Sequence, residues 1–153
     1  MVSVSIIGVG RVGGALALSL PPEKYRIENL IYRRDQDLAP IAERLETVPR
    51  IGTLTSFENI SSDIIFVTTQ DANIGAVAIE LASKVPNSSI VFHTSGSYSS
   101  SILSDIRAKG CGTGSLHPLV SISLAEFGPV RFRNAFFCVE GTTDAVRAGK
   151  EIV

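Results

Sequence analysis

A chain of 153 residues with 44% hydrophobic residues is long enough for one well-buried core, and its 14 basic and 15 acidic side chains leave a formal net charge of −1. That balance excludes the electrostatic footprint of a protein that binds nucleic acid or an anionic membrane. Cys111 and Cys138 fit neither a disulfide framework nor a C-x-x-C site and are expected as buried, inert thiols, and the apolar N-terminus lacks the basic region of a signal peptide, so the expected location is the cytoplasm.

Val2 to Ile7 is an apolar run that reads as a first strand. It empties into Gly8-Val9-Gly10-Arg11-Val12-Gly13, and Val12 to Leu20 then reads as a helix stopped by Pro21-Pro22. Tyr25 to Tyr32 reads as a second strand, Leu38 to Glu46 as a helix, and Arg50 to Thr55 as a short strand. Asp63 to Thr68 carries the unbroken apolar run of a buried strand. Asp71 is expected to cap a helix reaching about Lys84, with Ile74, Val77, Ala78 and Leu81 on one face. Ser89 to Phe92 is the next strand, Ser99 to Lys109 the next helix, and Cys111 to Leu116 a glycine-rich strand ending at His117-Pro118. Asn134 to Val139 reads as a last strand. Thr142 to Val153 reads as a helix whose apolar positions Ala145, Val146, Gly149 and Val153 lack an exit signal. Further residues or another copy of the chain are expected to cover that face, and the chain alone is then expected to bind cofactor without turning over substrate. The alternation predicts an α/β fold: a doubly wound, mostly parallel sheet with helices on both faces.

The G-x-G-x-x-G between a strand and a helix meets the context that a dinucleotide pyrophosphate site requires. Gly8 permits the tight turn, Gly10 lacks the Cβ that would hold a phosphate away, and Gly13 lets the helix pack close to the strand. The helix N-terminus then presents free N–H groups and positive dipole to the diphosphate. In such a sheet the binding crevice lies beyond the carboxyl ends of the strands. Five segments leave those ends: 8–13, 32–35, 68–73, 93–97 and 115–120.

The second segment bears on the cofactor. An NAD enzyme usually ends its second strand with an acidic residue that bonds the ribose hydroxyls and repels a 2′-phosphate. This chain has Arg33-Arg34 there, two guanidiniums suited to a phosphate dianion, so NADP(H) is expected and NAD(H) is the less favoured cofactor.

The runs Gly8 to Gly13, Thr68 to Ile74, His93-Thr94-Ser95-Gly96-Ser97 and Gly114 to Leu119 together resemble an uncharacterised bacterial group. Its members pair a Rossmann-like NADP-binding domain with a C-terminal helical domain of unknown function. The chain is also similar to the wider superfamily of pyrroline-5-carboxylate reductases, deazaflavin-dependent NADP reductases and prephenate dehydrogenases. The resemblance implies that His117, at a strand end marked His-Pro, takes the place of a catalytic histidine and that Ser95 helps position a substrate hydroxyl. It also implies that Thr68, Thr69 and Gln70 run along the ribose and nicotinamide side of the cofactor. The helical domain that in these relatives supplies much of the substrate pocket and the dimer interface would follow Val153, so a homodimer formed mainly through it is expected.

The chemistry of His117 agrees with that role, because an imidazole beside a nicotinamide can take or give the alcohol proton while hydride moves. Its alternative is a structural histidine whose ring nitrogen bonds a carbonyl. His93, closing a buried strand, reads as structural. A serine hydrolase is disfavoured because Ser95 is not in a G-x-S-x-G elbow, and the His and Cys spacings fit no zinc pattern. The reading is therefore the NADP(H)-binding domain of an oxidoreductase acting on a small molecule. A dinucleotide-sensing module without chemistry is the alternative.

Overall fold

β1 (Val2–Ile7) is buried along almost its whole length because it lies at the centre of a sheet with a core on each face. The computed structural model describes residues 1–33 and 37–153. β2 (Tyr25–Tyr32), β3 (Arg50–Thr53), β4 (Ile64–Val67), β5 (Ile90–His93), β6 (Gly112–Pro118) and β7 (Phe137–Gly141) complete the sheet among these residues, in the order β3-β2-β1-β4-β5-β6-β7. All neighbours pair in parallel except β6 and β7, which are antiparallel. The strand order reverses between β1 and β4, so the crevice opens where the glycine-rich turn leaves β1.

β4 shows why this strand is unbrokenly apolar. Phe66 packs into one core with Leu16, Leu30, Phe92 and Leu116, whereas its neighbours Ile65 and Val67 pack into the other with Ile74, Leu81 and Val91. Helices α1 (Arg11–Ser19) and α6 (Thr143–Ile152) cover the first face. α3 (Asp71–Leu81) covers the second, with α4 (Ser104–Arg107) beside it. Phe66 and Phe92 stack with ring centroids 5.7 Å apart.

The differences from the sequence reading have identifiable causes. The helix expected over Leu38 to Glu46 shortens to α2 (Ala39–Ala42), which buries none of its own residues and so gains little packing beyond Ile41 seated over Gly14. The Ser99 to Lys109 helix is divided into a 3₁₀ turn at Ser100–Leu103 followed by α4. Leu103 and Ile106 are both fully buried and three residues apart, a spacing that a three-residue turn aligns. Asp71 is the first residue of α3 and Gln70 its N-cap, so Asp71 acts on the helix dipole from the first turn and makes no cap.

Between β6 and β7 the chain forms a 3₁₀ turn at Ala125–Phe127 and α5 (Gly128–Phe132), where no element was expected. A Cβ on Gly128 would lie 2.5 Å from that of Ala15, so this segment lies directly on α1. The last strand begins at Phe137, three residues later than expected, after Asn134 turns the chain at φ 61°. Cys111 is buried as expected, but Cys138 is exposed. The apolar face of α6 is covered by the chain's own sheet: Ala145 is fully buried, and a Cβ on Gly149 would lie 2.7 Å from Val139 Cγ1. Val153, at the end of that face, is 57% exposed.

Candidate functional site

The turn after β1 uses its three glycines in three different ways. Gly8 has φ +96°, and a Cβ there would lie 2.8 Å from the Thr69 backbone nitrogen. A Cβ on Gly13 would lie 2.4 Å from both Gly8 O and Thr68 Oγ1, because α1 presses directly on the turn. A Cβ on Gly10 would meet nothing within 4 Å. The fold itself therefore requires glycine at the first and third positions, and Gly10 faces open space at the N-terminus of α1. Gly13→Ala is expected to cost about 1–3 kcal/mol of stability by overpacking, seen as a lowered melting temperature.

Hydrogen bonds fix the turn. Gly8 N–H donates to Ile31 O, and Gly10 N–H to Gly8 O, each at 2.8 Å. The Thr68 hydroxyl donates to Gly8 O at 2.6 Å, which ties the end of β4 to the turn. Gly10 is the N-cap of α1 and no side chain caps the helix, so the first-turn N–H groups of Arg11, Val12 and Gly13 lack the intrahelical partners that later turns have. Val9 is buried under the turn, and Arg11 is exposed beside it.

Two adjoining hollows lie on this turn. One, of about 280 Å³, is lined by Gly8, Val9, Gly10, Thr68, Thr69 and Gln70 together with Tyr32, Arg33 and Asn73. The other, of about 300 Å³, runs from Gly8 past Ile31 and Leu54 to Ala76, Val77 and Glu80 and is mostly apolar. Arg33 Nη1 donates to Asn73 Oδ1 at 2.7 Å, at the junction of the two. Arg34 lies outside the described residues.

Three of the five strand-end segments thus meet in one cleft, and the other two meet separately. His117, at the end of β6, has Nδ1 2.9 Å from Thr94 O, and its Nε2 would lie 2.6 Å from a Cβ on Gly96. With a carbonyl as its neighbour, Nδ1 carries a proton and donates it, and Nε2 has no hydrogen-bond partner among the described residues. Ser95 is nearly buried; its Oγ accepts from Ser97 N–H at 3.0 Å and keeps its own proton to donate. β6 stands three strand spacings from β1, roughly 14 Å.

Glu140, which no local motif announces, reaches from β7 to accept the N–H and the hydroxyl of Ser100, the latter at 2.9 Å. This bond and the His117–Thr94 bond hold the 94–100 loop at both ends. His93 is fully buried, accepts Ser95 N–H at Nδ1, and has no partner for Nε2 among the described residues. Burial pushes its pKa below the usual imidazole range, against the opposing pull first of the Ser99 backbone and then of the Glu140 and Asp71 charges. The unfolded chain therefore binds this proton more readily than the folded one. Stability is expected to be intact above about pH 6.5 and to fall by up to about 1.4 kcal/mol per pH unit below it, with the slope relieved in His93→Asn; thermal melts from pH 7.5 to 5 check this.

A family model for the Rossmann-like domain matches residues 1–118. The chain belongs to the Rossmann-like domain family. This Rossmann-like domain superposes with a TM-score of 0.80 on a candidate NADP oxidoreductase from Bacteroides fragilis at 19% identity, covering 99% of this chain and 56% of the other. Pyrroline carboxylate reductase of Plasmodium falciparum, solved with NADP bound, follows at 0.66 and 15%, covering 98% and 52%. Prephenate dehydrogenase of A. aeolicus, solved with hydroxyphenyl propionate and NAD+, gives 0.68 and 18%, covering 99% and 54%. The chain spans about half the length of these structures, and at such identities the likeness is one of fold. No curated protein matches it in sequence.

The cleft of this Rossmann-like domain fits a dinucleotide on two observations of its own. Gly10 leaves open the one point of the turn where a Cβ would obstruct a phosphate, and the buried Thr69 Oγ1, on the wall shared by both hollows, has no hydrogen-bond partner among the described residues. Thr68 lines the same hollow as Gly10, and its hydroxyl holds the turn by donating to Gly8 O.

Proposed function

We propose that this domain binds NADP(H) along the carboxyl ends of its strands and is the cofactor half of an oxidoreductase acting on a small molecule. The observation that carries the reading is the turn in which Gly8 and Gly13 are required by packing and Gly10 is open. The first-turn N–H groups of α1 hold the diphosphate there, aided by the positive end of the helix. Arg33 and Arg34 take the 2′-phosphate, and the mostly apolar hollow beside Ile31 and Leu54 takes the base. Thr69 and Gln70 line the path toward the nicotinamide. A bound nicotinamide supplies or accepts hydride. His117 Nε2 exchanges the proton, its tautomer held by Thr94 O, and the Ser95 hydroxyl orients the substrate.

The same His117–Thr94 bond suits a structural histidine, which keeps open the second reading of a dinucleotide sensor without chemistry. Titration with NADPH and NADH followed by nicotinamide fluorescence tests the binding, and equal affinity for the two overturns the NADP assignment. NADPH oxidation across a panel of imines and 2-oxo acids separates the readings, since a sensor binds without turnover. A homodimer, held mainly by a helical domain of the kind the resemblance implies, and a cytoplasmic location complete the proposal.

A further inference from the structure

Arg33 emerges just past the end of β2 as an exposed side chain, yet its guanidinium is not left to wander. Nη1 donates to the Asn73 side-chain oxygen at 2.7 Å, across forty residues of sequence. Asn73 is the third residue of α3, and its own N–H donates to Gln70 O at 2.8 Å, so the acceptor stands on a fixed piece of backbone. Both residues line both hollows, which places the bond where a ligand running from the glycine turn into the apolar hollow must pass.

The holder is a neutral amide. Among the described residues the ion pairs are Arg26 with Glu28 and Lys84 with Glu80, and no carboxylate stands within ion-pair distance of Arg33, although Glu80 lines the same hollow. A carboxylate at position 73 would orient the guanidinium equally well but would neutralise it and repel an incoming phosphate dianion. An amide orients it and leaves its full charge and four of its five N–H donors for a ligand. It also restrains a side chain that would otherwise lose rotamer freedom on binding.

We propose that Asn73 is a specificity-determining positioning residue, which sets a preference for the 2′-phosphorylated cofactor by holding the Arg33 guanidinium oriented at the junction of the two hollows without neutralising it, no carboxylate among the described residues pairing with it. The inference rests on the NADP(H) reading above.

The test is the dissociation constant of the intact protein, Asn73→Ala and Asn73→Asp for NADPH and for NADH, with thermal melts to confirm that each variant is folded. Asn73→Ala is expected to weaken NADPH about 5- to 10-fold and to leave NADH within about 2-fold. Asn73→Asp is expected to weaken NADPH further, as the new carboxylate pairs with Arg33, with NADH again little changed. Parallel loss of both cofactors would show a merely structural residue, and tighter NADPH binding by Asn73→Ala would show a latch that the ligand must break; either result overturns the proposal. An intact protein that prefers NADPH, with the same preference in both variants, overturns this inference alone. An intact protein that does not distinguish the cofactors overturns the NADP reading and the inference with it.

Discussion

Gly10→Val is expected to abolish NADPH binding while leaving the domain folded. The two halves of that expectation rest on one observation: a Cβ at this position meets no protein atom within 4 Å. Gly10 has φ −92° and ψ −151°, an extended conformation that valine can adopt, and its place at the N-cap makes the helix cost at most about 1 kcal/mol. The new side chain projects instead into the space over the first turn of α1, where the diphosphate would sit. Losing two charge-assisted backbone hydrogen bonds at about 1.5–3 kcal/mol each weakens binding by roughly 10²- to 10⁴-fold. Isothermal titration with NADPH and a melting curve on the same sample check both halves. Normal binding by the folded variant would show that the turn does not cradle the phosphates. Gly13→Ala, by contrast, is expected to act on stability, because its Cβ falls 2.4 Å from Gly8 O.

Replacing Arg33 and Arg34 together by alanine is expected to weaken NADPH by about 2–4 kcal/mol, at about 1–2 per lost charge-assisted contact, and to leave NADH nearly unchanged. The difference arises because the only group that distinguishes the two cofactors is the 2′-phosphate, the part of the ligand that the guanidiniums address. Arg33 is exposed and its side chain bonds only Asn73 among the described residues, so its removal costs the fold little. Single variants divide the effect between the two arginines. Competition binding with NADPH and NADH reads both affinities, and a double variant that retains full discrimination would remove Arg33 and Arg34 from the phosphate site.

Where the local pattern and the burial agree, the fold was legible residue by residue. β1 and β2 are legible to both ends, Val2–Ile7 and Tyr25–Tyr32, because their buried apolar residues run to those ends, at Ile6 and Ile7 and at Leu30 and Ile31, even though β2 carries Arg26, Glu28 and Asn29 within it. The glycine turn was equally legible, since its three glycines and the flanking strand and helix are consecutive. Short helices were not. α2 stops after four residues and the 99–109 stretch splits, because helices this short extend only as far as their neighbours pack against them. The 125–132 segment left little trace, since its packing onto α1 depends on Gly14, Ala15 and Gly128 being small where they meet. Cys138 is exposed rather than buried for a related reason: β7 is an edge strand of the sheet, and two of its residues besides Cys138 are exposed.

The candidate site divides along the same line. The chain's order of residues by itself determined the α/β class, the phosphate turn, and the five strand-end segments, because each of these is written within a dozen consecutive residues and enforced by glycine sterics or by strand burial. Only the tertiary structure decided that three of those segments form one cleft and two meet apart at His117. It alone decided that Thr68 is committed to the turn, that Arg33 is held by Asn73, and that Glu140 secures Ser100. Those contacts join residues forty or sixty positions apart, and a hydrogen bond depends on atoms coming within about 3 Å in space. Nothing in the intervening sequence encodes that distance; the strand order and the register of the sheet do.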